Sequence, residues 1–112
     1  MDKAKCKEIY NWLMKSHRDL GAARRLMEGG EAYSDIAVYH CQQAAEKAIK
    51  GYLTYRDIVF EKTHNLVALL AFCIPLESRF NRLEEAAEIL TPYATEFRYP
   101  GDVTEPSKEE TQ

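Results

Sequence analysis

The stretch His40-Cys41-Gln42-Gln43-Ala44-Ala45-Glu46-Lys47-Ala48-Ile49-Lys50 decides the reading of this chain. Around it, Ala37, Cys41, Ala44, Ala48 and Tyr52 recur at steps of three and four, which places them on one face of a helix. Small side chains on that face let a second helix approach closely. Gln43, Glu46, Lys47 and Lys50 edge the same helix, so that Gln43 lies beside Lys47 and Glu46 beside Lys50. Further on, Thr63-His64-Asn65-Leu66 reads as the opening of another helix, with Thr63 as its cap.

Working outward, the pattern predicts four helices and no strand, because β-branched alternation is absent and turn signals are too far apart for hairpins. The first helix spans about Lys3 to Glu28, with Ile9, Trp12, Leu13, Leu20, Ala23 and Leu26/Met27 on one side and Gly29-Gly30 as its terminator. The second starts near 32–34 and runs to about Tyr55 or Arg56, so two long helices joined by a short glycine-containing connection should lie antiparallel. The third is short: Leu66, Leu69, Leu70 and Cys73 form its stripe and Pro75 ends it. The fourth carries Leu76, Phe80, Leu83, Ala87, Leu90, Ala94 and Phe97 as a narrow seam, with a break expected near Leu90–Thr91 because Pro92 lacks an N–H. After Arg98-Tyr99-Pro100-Gly101, Ser107 with acidic neighbours reads as the opening of a fifth helix that has almost no residues to be made from.

At 112 residues the sequence suits a single domain spanning 1–112, and 46% hydrophobic residues are enough for a core. No apolar run reaches the roughly 18 residues of a membrane span, and the charged opening Met1-Asp2-Lys3-Ala4-Lys5 does not resemble a secretory signal. Cys6, Cys41 and Cys73 are odd in number and far apart, which suits reduced thiols and a cytoplasmic location. The net charge of −3 is uneven: residues 1–30 carry +3, residues 31–76 carry −1 and residues 77–112 carry −5. An acidic C-terminal third argues against a broad nucleic-acid surface. Lys15, Arg18, Arg24 and Arg25 form a local basic strip that reads as a solvated face or a small anion-facing surface.

Several chemistries find no support. Zinc needs three or four convergent ligands, and His40 and Cys41 are neighbours about 100° apart on a helix with no second pair, so no metal or cofactor is expected. No thiol sits in a nucleophile motif, and Gly29-Gly30 is too little for a phosphate loop. Tyr33, Tyr39, Tyr52 and Tyr55 read as core or interface before they read as base-stacking platforms. His64 either helps to cap the third helix or lines a cleft with the polar flank of the second.

The Gln-Gln-Ala-Ala-Glu-Lys helix, the Thr-His pair and Arg98-Tyr99-Pro100 after the fourth helix together resemble the HEPN domain (higher eukaryotes and prokaryotes nucleotide-binding), in the form common in its bacterial and archaeal branch. The resemblance covers about residues 5–107 and implies an all-α up-and-down helical bundle of four main helices. It also implies a nucleotide or RNA ligand and pairing with a minimal nucleotidyltransferase in a toxin–antitoxin-like arrangement, while the apolar Leu76–Phe97 seam, with no full fifth helix to cover it, predicts a homodimer. HEPN RNases carry an Arg followed after four to six residues by a His, and those groups activate a ribose 2′-OH and stabilise the developing charge. Arg98 matches that arginine, but Val103, Thr104 and Glu105 stand where the His should be. The expectation is therefore a non-catalytic nucleotide-binding or protein-interaction module, with a polar groove formed by Gln43, Lys47, Lys50, His64 and Arg98. The rival is a metal-independent RNase in which Arg98 works with His64 as a substitute base. A dimeric scaffold without ligand is the third reading.

Overall fold

Asp2 opens the first helix by accepting a hydrogen bond from the Lys5 N–H at 2.7 Å. In this computed structural model, which describes residues 1–28 and 33–94, that helix is α1, Lys3–Met27. It is followed by α2, Ser34–Tyr55, by α3, Leu66–Cys73, and by α4, Glu84–Leu90, with 3-10 segments at Ser78–Leu83 and Thr91–Ala94. The described residues contain no strand, and the fold is an all-α helical bundle.

α1 and α2 form an antiparallel hairpin whose approach is set by small residues. The Ser16 hydroxyl donates to the Ala44 carbonyl at 2.7 Å, Ala37 and Ala44 are buried, and Gly51 faces α1. A Cβ at Gly51 would stand 3.2 Å from the Trp12 Cβ. The buried line of α1 is Ser16, Asp19 and Ala23. This corrects the expected apolar side, since Leu13 and Leu20 remain 50% and 43% exposed. The helix is rotated so that two polar residues face α2, where α2 supplies their partners.

α2 ends in a turn that the sequence did not advertise. Asp57 takes a left-handed backbone, φ 58°, while the Ile58 N–H reaches the Leu53 carbonyl and the Asp57 N–H reaches that of Thr54. This is the Schellman pattern, with aspartate in the position that glycine usually fills. Beyond it, Ile49 and Leu53 of α2, Leu66, Leu69, Leu70 and Cys73 of α3, and Ala87 of α4 form the core. The rings of Tyr52 and Phe80 lie 4.8 Å apart at its edge.

Two further expectations are corrected. The cap of α3 is Asn65, whose side chain accepts from the Ala68 N–H at 3.1 Å; Thr63 instead accepts from the Asn65 N–H. His64 thus lies ahead of the helix. The fourth helix is not one continuous seam from Leu76. Glu77 is extended and its carboxylate accepts from the Arg79 N–H, which starts a 3-10 segment after Pro75. The tighter 3-10 winding leaves Leu83 47% exposed where an unbroken α-helical seam would bury it. The break at Leu90–Thr91 falls where Pro92 requires it. Gly29-Gly30, Phe97, Arg98-Tyr99-Pro100-Gly101 and the Ser107 start lie outside the described residues.

Candidate functional site

The polar flank of α2 is organised by two carboxylates. Asp19, reaching across from α1, accepts from His40 Nδ1 at 2.8 Å and from Lys47 Nζ at 2.6 Å. Because an ionised carboxylate only accepts, His40 carries its proton on Nδ1 in this pair. Glu46 is the second centre. Its Oε2 accepts from Lys50 Nζ at 2.9 Å, and its Oε1 accepts from His64 Nδ1 at 2.8 Å and from Gln42 Nε2 at 3.2 Å. The same Gln42 amide donates to the His64 carbonyl at 2.9 Å, and Gln43 Nε2 donates to Gln42 Oε1 at 2.7 Å.

The two glutamines therefore have a specific task. Gln42 grips both the ring partner and the backbone of His64, fastening the loop between α2 and α3 to α2. Lys50 is buried, and its ammonium lies 5.7 Å from the Trp12 ring centroid and 5.9 Å from that of Phe60. Those rings meet edge to face at 6.3 Å, so one cation ties α1, α2 and the loop together. Among the described residues, no buried side-chain nitrogen or oxygen lacks a hydrogen-bond partner.

Burial pushes the Glu46 carboxyl up, but the hydrogen bonds from Lys50, His64 and Gln42 outweigh it and hold the group below the ordinary glutamate range. Burial pushes the Cys41 thiol up, and it raises that of Cys73 to about 11. Both therefore behave as small apolar groups.

Of the residues expected to share a groove, Gln43, Lys50 and His64 belong to one network through Gln42 and Glu46. Lys47 belongs to the other network, bonded to Asp19 rather than to Gln43. Arg98 lies outside the described residues. The sequence reading missed Asp19 altogether. Its signal was a lone acid in register with Ser16 and Ala23 on α1, facing the helix that bears Lys47. Gln42 and Glu46 were visible in the motif, but their role as the hub was not.

The His64 ring is 58% exposed. With Nδ1 held by a carboxylate, Nε2 is the ring nitrogen left to accept a proton or face a ligand. Lys47 and Lys50 are each matched to a buried acid, so this flank offers polar surface without a spare lysine charge.

A family model described as the HEPN domain matches residues 9–112, all but the first eight. No curated protein and no solved structure matches the chain. With the all-helical bundle and this extensive match, the chain belongs to the HEPN domain family.

Proposed function

We propose that this chain, acting as one domain over residues 1–112 in the cytoplasm, is a non-catalytic HEPN interaction module that works as a homodimer. The observation that carries this reading is the closed polar network of α2. Asp19 takes Lys47 and Glu46 takes Lys50, so neither lysine is free to neutralise a phosphate. The sequence after Arg98 also lacks the histidine of the nuclease motif. Exposed Leu13, Leu20 and Leu83 favour association with a protein surface. Family membership motivates a minimal nucleotidyltransferase as partner, in a toxin–antitoxin-like pair. Co-expression with such a nucleotidyltransferase, followed by calorimetric titration of the chain alone with ATP and short RNAs, tests this. A stable protein complex with weak nucleotide binding is expected. Tight nucleotide binding without any protein complex would replace it with a nucleotide-binding function.

One observation favours a second reading. Glu46 orients an exposed imidazole at His64, as a carboxylate does for a catalytic histidine. An RNase using His64 with Arg98 would cleave RNA in the presence of a chelator, and His64→Ala would abolish that cleavage.

A further inference from the structure

α1 packs chiefly against α2, and the two flanks of their seam differ in chemistry. At about 100° per residue, Tyr10, Leu13 and Leu20 project together on one flank of α1. All three are exposed. Lys15 and Arg18 occupy the opposite flank, beside the Asp19 network. α2 repeats this asymmetry: Ala45, Ala48 and Tyr52 face the leucine side, whereas Gln43, Lys47 and Lys50 face the other. Leu13 Cδ2 comes within 3.3 Å of where a Cβ would stand on Gly51, one turn from Ala48. The α1 ridge therefore borders a valley of about 360 Å³. Ala45, Ala48 and Tyr52 of α2 line it together with Phe80, Leu83 and Ala86.

We propose that this ridge and valley form the contact of a two-fold homodimer, with the α1 ridge of each copy seated in the valley of the other. This rests on the homodimer reading above and adds the face through which the copies meet. Two features select a second copy as the occupant. A two-fold interface needs a projection and a matching recess on one surface, and here they lie side by side. The charges also match: Lys3, seven residues before Tyr10, and Arg24, four after Leu20, fall on the ridge flank of α1, while α4 carries Glu84, Glu85 and Glu88 and no Lys or Arg. Reciprocal docking lays the basic helix of each copy beside the acidic helix of the other. The ridge helix, 25 residues and about 37 Å long, has the reach for an interface of about 800 Å² per copy.

Sedimentation equilibrium of the 112-residue chain over micromolar concentrations tests the proposal, with far-UV circular dichroism reporting the fold of each variant. The wild-type chain is expected to be a dimer. Leu20→Glu on the ridge and Leu83→Glu on the valley wall should each weaken it about 100-fold. Tyr10→Lys gives a second ridge variant at an exposed position should Leu20→Glu lose helicity. Val59→Glu, at a 92% exposed site off this face, should leave the dimer intact. A dimer indifferent to the ridge and wall variants overturns the assigned face while leaving the homodimer reading in place. A monomeric wild-type chain overturns both, and leaves the valley to residues 95–112 or to a different protein.

Discussion

At the scale of single residues, Glu46 carries the largest share of the site. Removing its charge leaves Lys50 buried without a counter-charge, and removing one partner of a buried pair is far more costly than replacing both. Glu46→Gln should therefore lower unfolding free energy by about 3 kcal/mol, measured by urea denaturation at neutral pH. The same residue sets an acid sensitivity. Its folded carboxyl titrates below the unfolded one, so its contribution is complete above the ordinary glutamate value of about 4.3. That contribution is lost as pH falls through the folded value. Wild-type stability should drop more steeply than that of Glu46→Gln over this acid range; equal slopes would show that Glu46 is not the group responsible. Cys73 gives an independent check. With its thiol pushed up to about 11 and fully buried, it should resist alkylation at pH 8 until the chain unfolds, while exposed Cys6 reacts at once. The Glu46–Lys50 pair was legible in the sequence because four residues on a helix bring side chains together. Asp19 was not, because its lysine lies 28 residues away and no local spacing announces a contact across two helices.

At the scale of elements, glycine is present at one close approach and absent from one turn that favours it. Gly51 lets α1 come within contact of α2. Alanine there gains helix propensity of about 1 kcal/mol but meets the Trp12 Cβ, which sits too near the backbone to yield freely, so Gly51→Ala should be close to neutral. Gly51→Val should cost about 2 kcal/mol through overpacking. At the end of α2 the situation reverses, because Asp57 holds a left-handed backbone. Gly removes a strain of about 1–2 kcal/mol and loses the exposed Lys5–Asp57 ion pair, worth at most about 1 kcal/mol. Asp57→Gly should therefore stabilise the chain by up to about 1 kcal/mol, read from the shift in denaturation midpoint; a clear loss would mean that the Lys5 pair anchors α1. Helix positions were largely legible, since α1 and α2 begin and end within two residues of where periodicity and caps place them. The stretch from Leu76 to Leu83 was not. Its apolar spacing suits an α-helix, but the spacing does not encode the extended Glu77 and its bond to Arg79, which reset the winding.

At the scale of the whole molecule, the question is whether a HEPN bundle without its motif histidine can still cut RNA. A positioned acid–base group typically contributes about 10²–10⁴-fold to rate. To replace the lost one, His64 would have to leave its contact with Glu46 or use Nε2 with Nδ1 still held. The second route preserves the fold, so exposure does not exclude it. The charges around the ring decide against it. Glu46 stands directly behind His64, and Lys47 and Lys50 on the α2 flank are already bonded to acids. The α2 flank therefore supplies little stabilisation for a pentavalent phosphate, which gathers negative charge as the 2′-OH attacks. Arg98 remains a candidate anion contact from the sequence, and Arg98→Ala should weaken any phosphate binding by roughly 1.5–3 kcal/mol. We therefore expect the purified chain to release no RNA fragments above background in a chelating buffer. His64→Ala should change the melting temperature, because it removes the ring that fastens the loop ahead of α3, without changing that background. Cleavage that disappears in both His64→Ala and Arg98→Ala, while Glu46→Gln merely slows it, would reverse this conclusion and make the Glu46–His64 pair the working base of a divergent nuclease.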